Sequence, residues 1–499
     1  MSSYRESLLK FHEKYYRDVS EGKTRPFLVP QDLAGMLLLF LWLMLIPYHA
    51  RLPSKTRPVV LTAVVIFSIS TLVNCRSLGL GFGFAIGAQS MMTAILATNF
   101  MLLHDPRQFS RLVLKRKIDA GDQAQPCIKG IAGANFKATG QNSRKGKSNQ
   151  EYVIVWQRVP DKFFIRVGWV LDLLISLRGF HWSWTDRNTS YYQQTTLNWA
   201  KLPHKAYSVV FNAFTLICSY MCLDCIKMLM IYDPYFWGQI QVEPPRYLPS
   251  ISRAPVPLQL YRMLITFLAI LSAIIYLSAI FHIVAFSLLS SPEYGFFGGG
   301  WLYLPPNGSI NAIARRGLRG FWGEWWHQLL RRHFCSIGDA VAGFFAFNSP
   351  NDYQQATRYM VAFLLSGILH ASGSYTSGGS TRPWAAFVSF ALQPFGIFIE
   401  ATAGRYLSLA SPQIAASGFW RTIGHLGFTL SWLMLTFPLL IDDLARSGIW
   451  FIEPVPFSLL RWMGVSGEKD SWKCWCGSWL TFYDGRSVWK SGFAVHGPG

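Results

Sequence analysis

The run GFGFAIGAQSMMTAILATNFMLL, residues 81–103, passes 23 positions without a charged side chain. A helix rising about 1.5 Å per residue needs about 20 such positions to cross the hydrocarbon layer of a bilayer. The run therefore reads as a membrane span, and its glycines permit close helix packing. It has company on both sides: LAGMLLLFLWLMLIPY over 33–48, a run at 58–74, and later runs at 206–231, 262–290, 358–376, 384–403 and 420–441. Together they predict an all-α polytopic transmembrane protein with about eight or nine spans and re-entrant segments.

Composition agrees. Of 499 residues 51% are hydrophobic and 16% aromatic, mean hydropathy is +0.23, and only 14% are charged, against about 25% in soluble domains. The excess of 46 Lys and Arg over 26 Asp and Glu sits mainly between the apolar runs, where the positive-inside tendency places it. Without zinc-finger spacing, a Rossmann glycine pattern or a P-loop, the charge does not indicate nucleic acid. Eight cysteines are too sparse for a disulfide framework. Cys218, Cys222 and Cys225 fall on one helical face and read as buried thiols, and Cys474 and Cys476 lack a second pair. No metal-ligand spacing and no bound cofactor are expected. Transporter-type internal repeats do not stand out.

Residues 1–32 mix charges with aromatics and read as an amphipathic surface segment rather than a cleavable signal. Residues 33–460 form the membrane domain and 461–499 a polar tail. Between them, 104–162 carries twelve Lys or Arg against five Asp or Glu, and Gly121–Gln150 reads as a flexible cytosolic loop. That orientation puts the N-terminus in the lumen. The run at 163–175 is short and holds Arg166 and Asp172, so it is read as non-crossing, which keeps the arginine-rich 291–335 segment cytosolic. The run at 336–347 is short enough to be re-entrant, and Pro454 and Pro456 break the last apolar patch.

Two histidines stand out. His370 lies deep in an uncharged run beside Ser366, Gly367, Ser372 and Gly373, where an ionisable group is costly unless it faces a polar chamber. His327 sits in RRGLRGFWGEWWHQLLRRHF, residues 315–334, predicted helical from about Phe321, with Glu324 and Gln328 on one face. An interfacial amphipathic helix with an uninvolved histidine explains that stretch equally well. Asp224 and Lys227, three apart, are expected to pair structurally. His333 is expected against lipid headgroups, and Glu400 and His425 are weaker candidates for chemistry.

The segment with Trp301, Pro305, Pro306 and Gly308, followed by ARRGLRGFWGEWWHQLLRR at 314–332, resembles the RxFWGRxWHQ signature of the wax-synthase-like branch of membrane-bound O-acyltransferases. Within that branch it is most similar to the fungal group that acetylates terpenoids and other secondary metabolites. SLRGFHWSW at 176–184 resembles that group's LRGxGW element, YMCLDCIKMLMIYDPYFWG at 220–238 its span ending in Asp-Pro-Tyr-Phe, and Ser366-Gly367 through His370 its SGxxH element. Glu324 stands where the motif commonly has arginine.

The resemblance implies a membrane-bound O-acyltransferase-like bundle in the endoplasmic reticulum, with acetyl-CoA as co-substrate and a hydrophobic hydroxylated acceptor. His370 corresponds to the catalytic histidine, and His327 to the histidine of the WHQ element. His370 would deprotonate the hydroxyl. His327, with Trp326, Gln328 and Ser366, would position the acceptor or steady the oxyanion. Arg315, Arg316, Arg319, Arg331 and Arg332 would hold coenzyme A phosphates. A long-chain acyl donor making wax or sterol esters is the alternative within this class, and a transporter the alternative outside it.

Overall fold

The computed structural model describes residues 4–78, 83–116, 152–179, 182–184, 205–245, 247–249, 253–284, 306–345, 351–413, 417–465, 471–475, 478–485 and 487–496. The Gly121–Gln150 insert, Trp301, Pro305 and the run ends at 285–290 and 346–347 lie outside the described residues, as do positions 180–181 of the 176–184 element.

The chain is mostly helical. In order come α1 (Tyr4–Ser20), α2 (Ala34–Met44), α3 (Thr56–Asn74), α4 (Phe84–Ala97, prolonged by a π-helical turn to Leu103), α5 (Phe163–Ile175), α6 (Lys205–Tyr232) and α7 (Pro255–Val284). Then follow α8 (Asn311–Gly320), α9 (Arg331–Phe345), α10 (Asn351–Thr376), α11 (Pro383–Ala391), α12 (Gln393–Ala410), α13 (Gly418–Thr436) and α14 (Pro438–Ser447). Among the described residues five helical stretches are long and apolar enough to cross a membrane: Thr56–Asn74, Phe84–Leu103, Val210–Tyr232, Pro255–Val284 and Pro383–Ala410. A sixth arises if α13 and α14, bent by 47° before Pro438, count together. Ile66, Phe67 and Ile69 on α3 and Val210, Phe211, Phe214 and Ile217 on α6 are exposed, as side chains facing lipid are. This is a multi-pass membrane protein.

The count corrects the expected eight or nine spans. The run at 33–48 yields only 11 helical residues in α2, because Pro47 follows and a six-residue 3-10 turn, Ile46–Arg51, takes over. The runs at 163–175 and 336–347 are not among the eight named spans: α5 has 13 residues and buries Arg166 and Asp172, and α9 stops at 15 residues. The expected 358–376 span forms in α10 but interrupts its apolar surface with serines, glycines and His370, so composition no longer qualifies it.

Among the described residues, three small sheets tie the termini and loops to the bundle. Strand β1 (Arg25–Pro26) runs parallel to β3 (Cys75–Arg76), and β2 (Leu28–Val29) pairs with β7 (Gly492–Val495), which also pairs with β6 (Leu480–Tyr483). The polar tail thus docks on the N-terminal segment. Where a flexible loop is expected over 104–162, β4 (Arg111–Arg116) and β5 (Tyr152–Gln157) form an antiparallel ladder at its two ends. Helix α1 packs on protein, with Tyr4 and Phe11 against Phe451.

Buried charges are spent on structure. Arg262 meets Asp233 at 3.1 Å with both side chains buried, and Arg111 meets Asp172 at 3.1 Å. Asp224 and Lys227 do not pair with each other. Asp224 accepts from the Ser458 hydroxyl and the Leu460 N–H, while Lys227 donates to the Tyr4 hydroxyl and to the carbonyls of Trp450, Phe451 and Ile452. Their positions on the helix allowed a pair, but closer partners from other segments took both groups. Cys218, Cys222 and Cys225 are exposed on α6 rather than buried, because that face looks outward from the bundle.

At the centre, α10 packs on α4, α9 and α11. The contact with α4 is close because Gly87 leaves room for the Ser372 carbonyl, with which a Cβ would collide. The Gly87 N–H donates to Thr376 Oγ1, whose hydroxyl reaches the Gly83 carbonyl at 2.8 Å. That junction sets the position of α10 and of the histidine it carries.

Candidate active site

The segment predicted as one helix from Phe321 is broken twice. Gly317 takes φ 55°, ψ −137° inside α8, a left-handed excursion that glycine tolerates and other residues do not. After Gly320 the chain makes a π-helical turn, Phe321–Trp325, closed by the Trp326 N–H on the Phe321 carbonyl at 2.8 Å. Residues 306–308 strap this turn: the Gln328 N–H donates to the Pro306 carbonyl, and the Gly308 N–H to that of Trp325. The Gln328 amide donates to the Trp322 and Trp326 carbonyls. Glu324, Gln328 and His327 therefore share no regular helical face. Gln328 braces the turn and does not line the cavity beside it.

That cavity, of roughly 170 Å³, lies between α8, the turn, α9, α10, α11 and α12, and His327 and His370 both line it. Ser366 and Trp326 join them, with Trp322, Phe363 and Phe390 as aromatic walls and Arg316, Arg319 and Arg331 among the polar ones. Arg315 and Arg332 do not line it. Bulk aromatic surface with few convergent polar groups is the usual make-up of a small-molecule site.

Local contacts fix the His370 ring. Its Nδ1 lies 2.8 Å from the Ser366 carbonyl, which can only accept, so Nδ1 carries the proton and Nε2 keeps a lone pair. The ring stacks on Phe390 with centroids 4.1 Å apart, and Phe84 approaches edge-on at 6.5 Å. Among the described residues, His327 Nδ1 is buried without a hydrogen-bond partner. Burial, and behind it the nearby His370 imidazole, pushes the His327 pKa down to about 4, so this ring is neutral at ordinary pH.

The cations are partly engaged. Arg316 and, at 3.9 Å, Arg315 pair with Glu324. Arg331 donates to the Gly323 carbonyl at 2.7 Å, and Arg319 lies 5.8 Å over the Tyr359 ring. Both Arg315 and Arg316 remain more than half exposed. His333, expected against headgroups, is instead buried between Phe100 and Trp184, because the turn of α9 that carries it faces the core. Sequence reading assigns Trp322 to an interface and passes over Phe390, Phe363, Tyr359 and Cys335, since nothing local marks a residue as facing a cavity built from several distant segments.

The fold and the cavity are those of a multi-pass membrane protein with an aromatic chamber that two histidines line. Comparison with known proteins is more specific: residues 307–392, which contain the turn, His327, His370 and Phe390, match the membrane bound O-acyl transferase family. The chain is 28% identical over 179 residues to an acetyltransferase of Hericium erinaceus, covering 35% of this chain and 42% of that one. It is 27% identical over 154 residues to an acetyltransferase of Arthrinium sp, covering 30% and 35%. A Rhodocybe pseudopiperita acetyltransferase is 33% identical over 128 residues, covering 24% and 32%. The aligned part thus spans less than half the length of each of these relatives. No solved structure matches.

Proposed function

We propose that this protein transfers an acetyl group from acetyl-CoA to a hydroxyl of a hydrophobic secondary metabolite, a terpenoid or meroterpenoid, in the endoplasmic reticulum membrane. The observation that carries this reading is the meeting of His327 and His370 on one cavity, within a segment that matches the acyltransferase family.

The chemistry follows from the His370 tautomer. With Nδ1–H held by the Ser366 carbonyl, Nε2 takes the acceptor's hydroxyl proton as its oxygen attacks the thioester carbonyl. The tetrahedral oxyanion then collapses, the carbon–sulfur bond breaks, and the imidazolium returns the proton to the departing coenzyme A thiolate. A positioned base contributes typically ~10²–10⁴ in rate. His327, neutral and with an Nδ1 unpartnered among the described residues, is available to hydrogen-bond a reactant or the oxyanion. Trp326 sits beside it, with ring centroids 5.2 Å apart. Arg316, Arg319 and Arg331 supply positive charge on the same cavity for the donor's phosphates. Gln328 acts by holding the turn. The aromatic walls suit an apolar acceptor arriving from the bilayer.

The test is a microsomal assay with radiolabelled acetyl-CoA and a panel of terpenoid alcohols, run beside a long-chain acyl-CoA and the His370→Ala variant. Label in an ester with acetyl-CoA, dependent on His370, supports the proposal. Preference for the long-chain donor moves the protein to wax or sterol ester synthesis, and transfer undiminished in the variant removes His370 from the role of base.

A further inference from the structure

Glu400 and His425 sit on two apolar helices, and neither lines the cavity. A carboxylate inside a bundle is costly unless its oxygens are satisfied. Here both are: Glu400 Oε1 lies 2.8 Å from His425 Nδ1, and Oε2 accepts the Leu318 N–H at 2.9 Å. Leu318 follows Gly317, where α8 breaks, and a negative group at a freshly opened helix start is favoured by the exposed N–H groups and their dipoles. A Cβ on Gly317 would collide with this same carboxylate, so the break and Glu400 are fitted to each other.

The grip extends along one face of α12. Two turns before Glu400, Gln393 accepts the Trp322 indole N–H at 3.1 Å, and its own amide is fixed by the Ser389 carbonyl and Thr436 Oγ1. Helix α12 therefore holds the segment at Leu318 and again at Trp322, one turn on. Arg316 and Arg319 flank the first hold point and line the cavity, while His327 follows the second.

We propose that Glu400, oriented by His425, is a positioning residue: it sets the break at Gly317 and thereby places Arg316 and Arg319 for the phosphates of an acyl-CoA donor. The inference rests on the donor assigned under the proposed function. Neither Glu400 nor His425 touches the reacting atoms, so the effect falls on donor affinity rather than on turnover.

The experiment measures coenzyme A binding by equilibrium dialysis on the purified full-length protein, together with KM for acetyl-CoA and kcat per folded molecule. Glu400→Ala is expected to weaken coenzyme A binding and raise KM about tenfold, the scale of one lost charge-assisted hydrogen bond, with kcat changed less than about threefold. Glu400→Gln keeps an acceptor for the Leu318 N–H and is expected to restore most of the affinity. If Glu400→Ala does not fold, His425→Gln carries the same test, with KM raised by a smaller factor and kcat again preserved. Unchanged affinity in these variants, or a fall in kcat at constant KM, overturns the proposal. Wild-type protein that binds no coenzyme A overturns the donor assignment and this inference with it, whereas wild-type binding that is indifferent to Glu400 and His425 overturns the inference alone.

Discussion

Replacing His370 by alanine separates chemistry from folding because the structure bounds the two costs differently. The substitution removes the Nδ1–H bond to the Ser366 carbonyl, worth about 1 kcal/mol, and the stack on Phe390, worth about 0.5–1.5 kcal/mol. The space left merges with an existing cavity and does not open a sealed void. The stability loss is therefore about 2 kcal/mol, which leaves most molecules folded. Losing the base proposed above would instead lower the rate by ~10²–10⁴, or about 2.7–5.4 kcal/mol in activation free energy. Initial rates of ester formation at saturating acetyl-CoA, normalised to monodisperse protein, read the second cost, and thermal unfolding in detergent reads the first. The expected pattern is a rate loss of at least about a hundredfold with KM for acetyl-CoA nearly unchanged. A rate loss below about tenfold at equal folded fraction would refute the argument that Nε2 of His370 removes the proton.

Three further outcomes are expected. Gly87→Ala pushes α4 away from the Ser372 carbonyl of α10, so the yield of monodisperse protein by size exclusion should collapse, and a normal yield would show that the helices can shift apart cheaply. Asp233→Ala leaves the Arg262 guanidinium buried and unpaired, a loss of about 3–5 kcal/mol visible as a large drop in melting temperature. The pH dependence turns on His327, whose pKa is near 4 in the fold and about 6.5 in an unfolded chain. Between those values the unfolded chain binds a proton that the folded one does not, so stability is complete above about pH 6.5 and falls as pH drops toward 4. Lowering pH from about 7 to 5 should reduce the wild-type melting temperature more than that of His327→Gln, and equal reductions would contradict the burial argument.

Membrane residence was legible in the runs at 81–103 and 262–290, because about 20 predominantly apolar residues in a helix satisfy every backbone group internally whatever surrounds them. The glycines of the 81–103 run likewise announced a close approach, since small side chains are what such contacts need. His370 and His327 stood out because an ionisable group among apolar neighbours is costly. These are local properties, and sequence alone determines them.

Tertiary structure decided what depends on segments far apart in the chain. It ended α2 too early to cross, gave Lys227 to carbonyls more than two hundred residues away instead of to Asp224, and buried His333 that local charge assigned to headgroups. It set Phe390 against His370 and brought Glu400 to the break at Gly317, 83 positions earlier. A hydrogen bond tolerates only a few tenths of an ångström in distance and needs a near-linear donor, and only the packed arrangement of several helices supplies both.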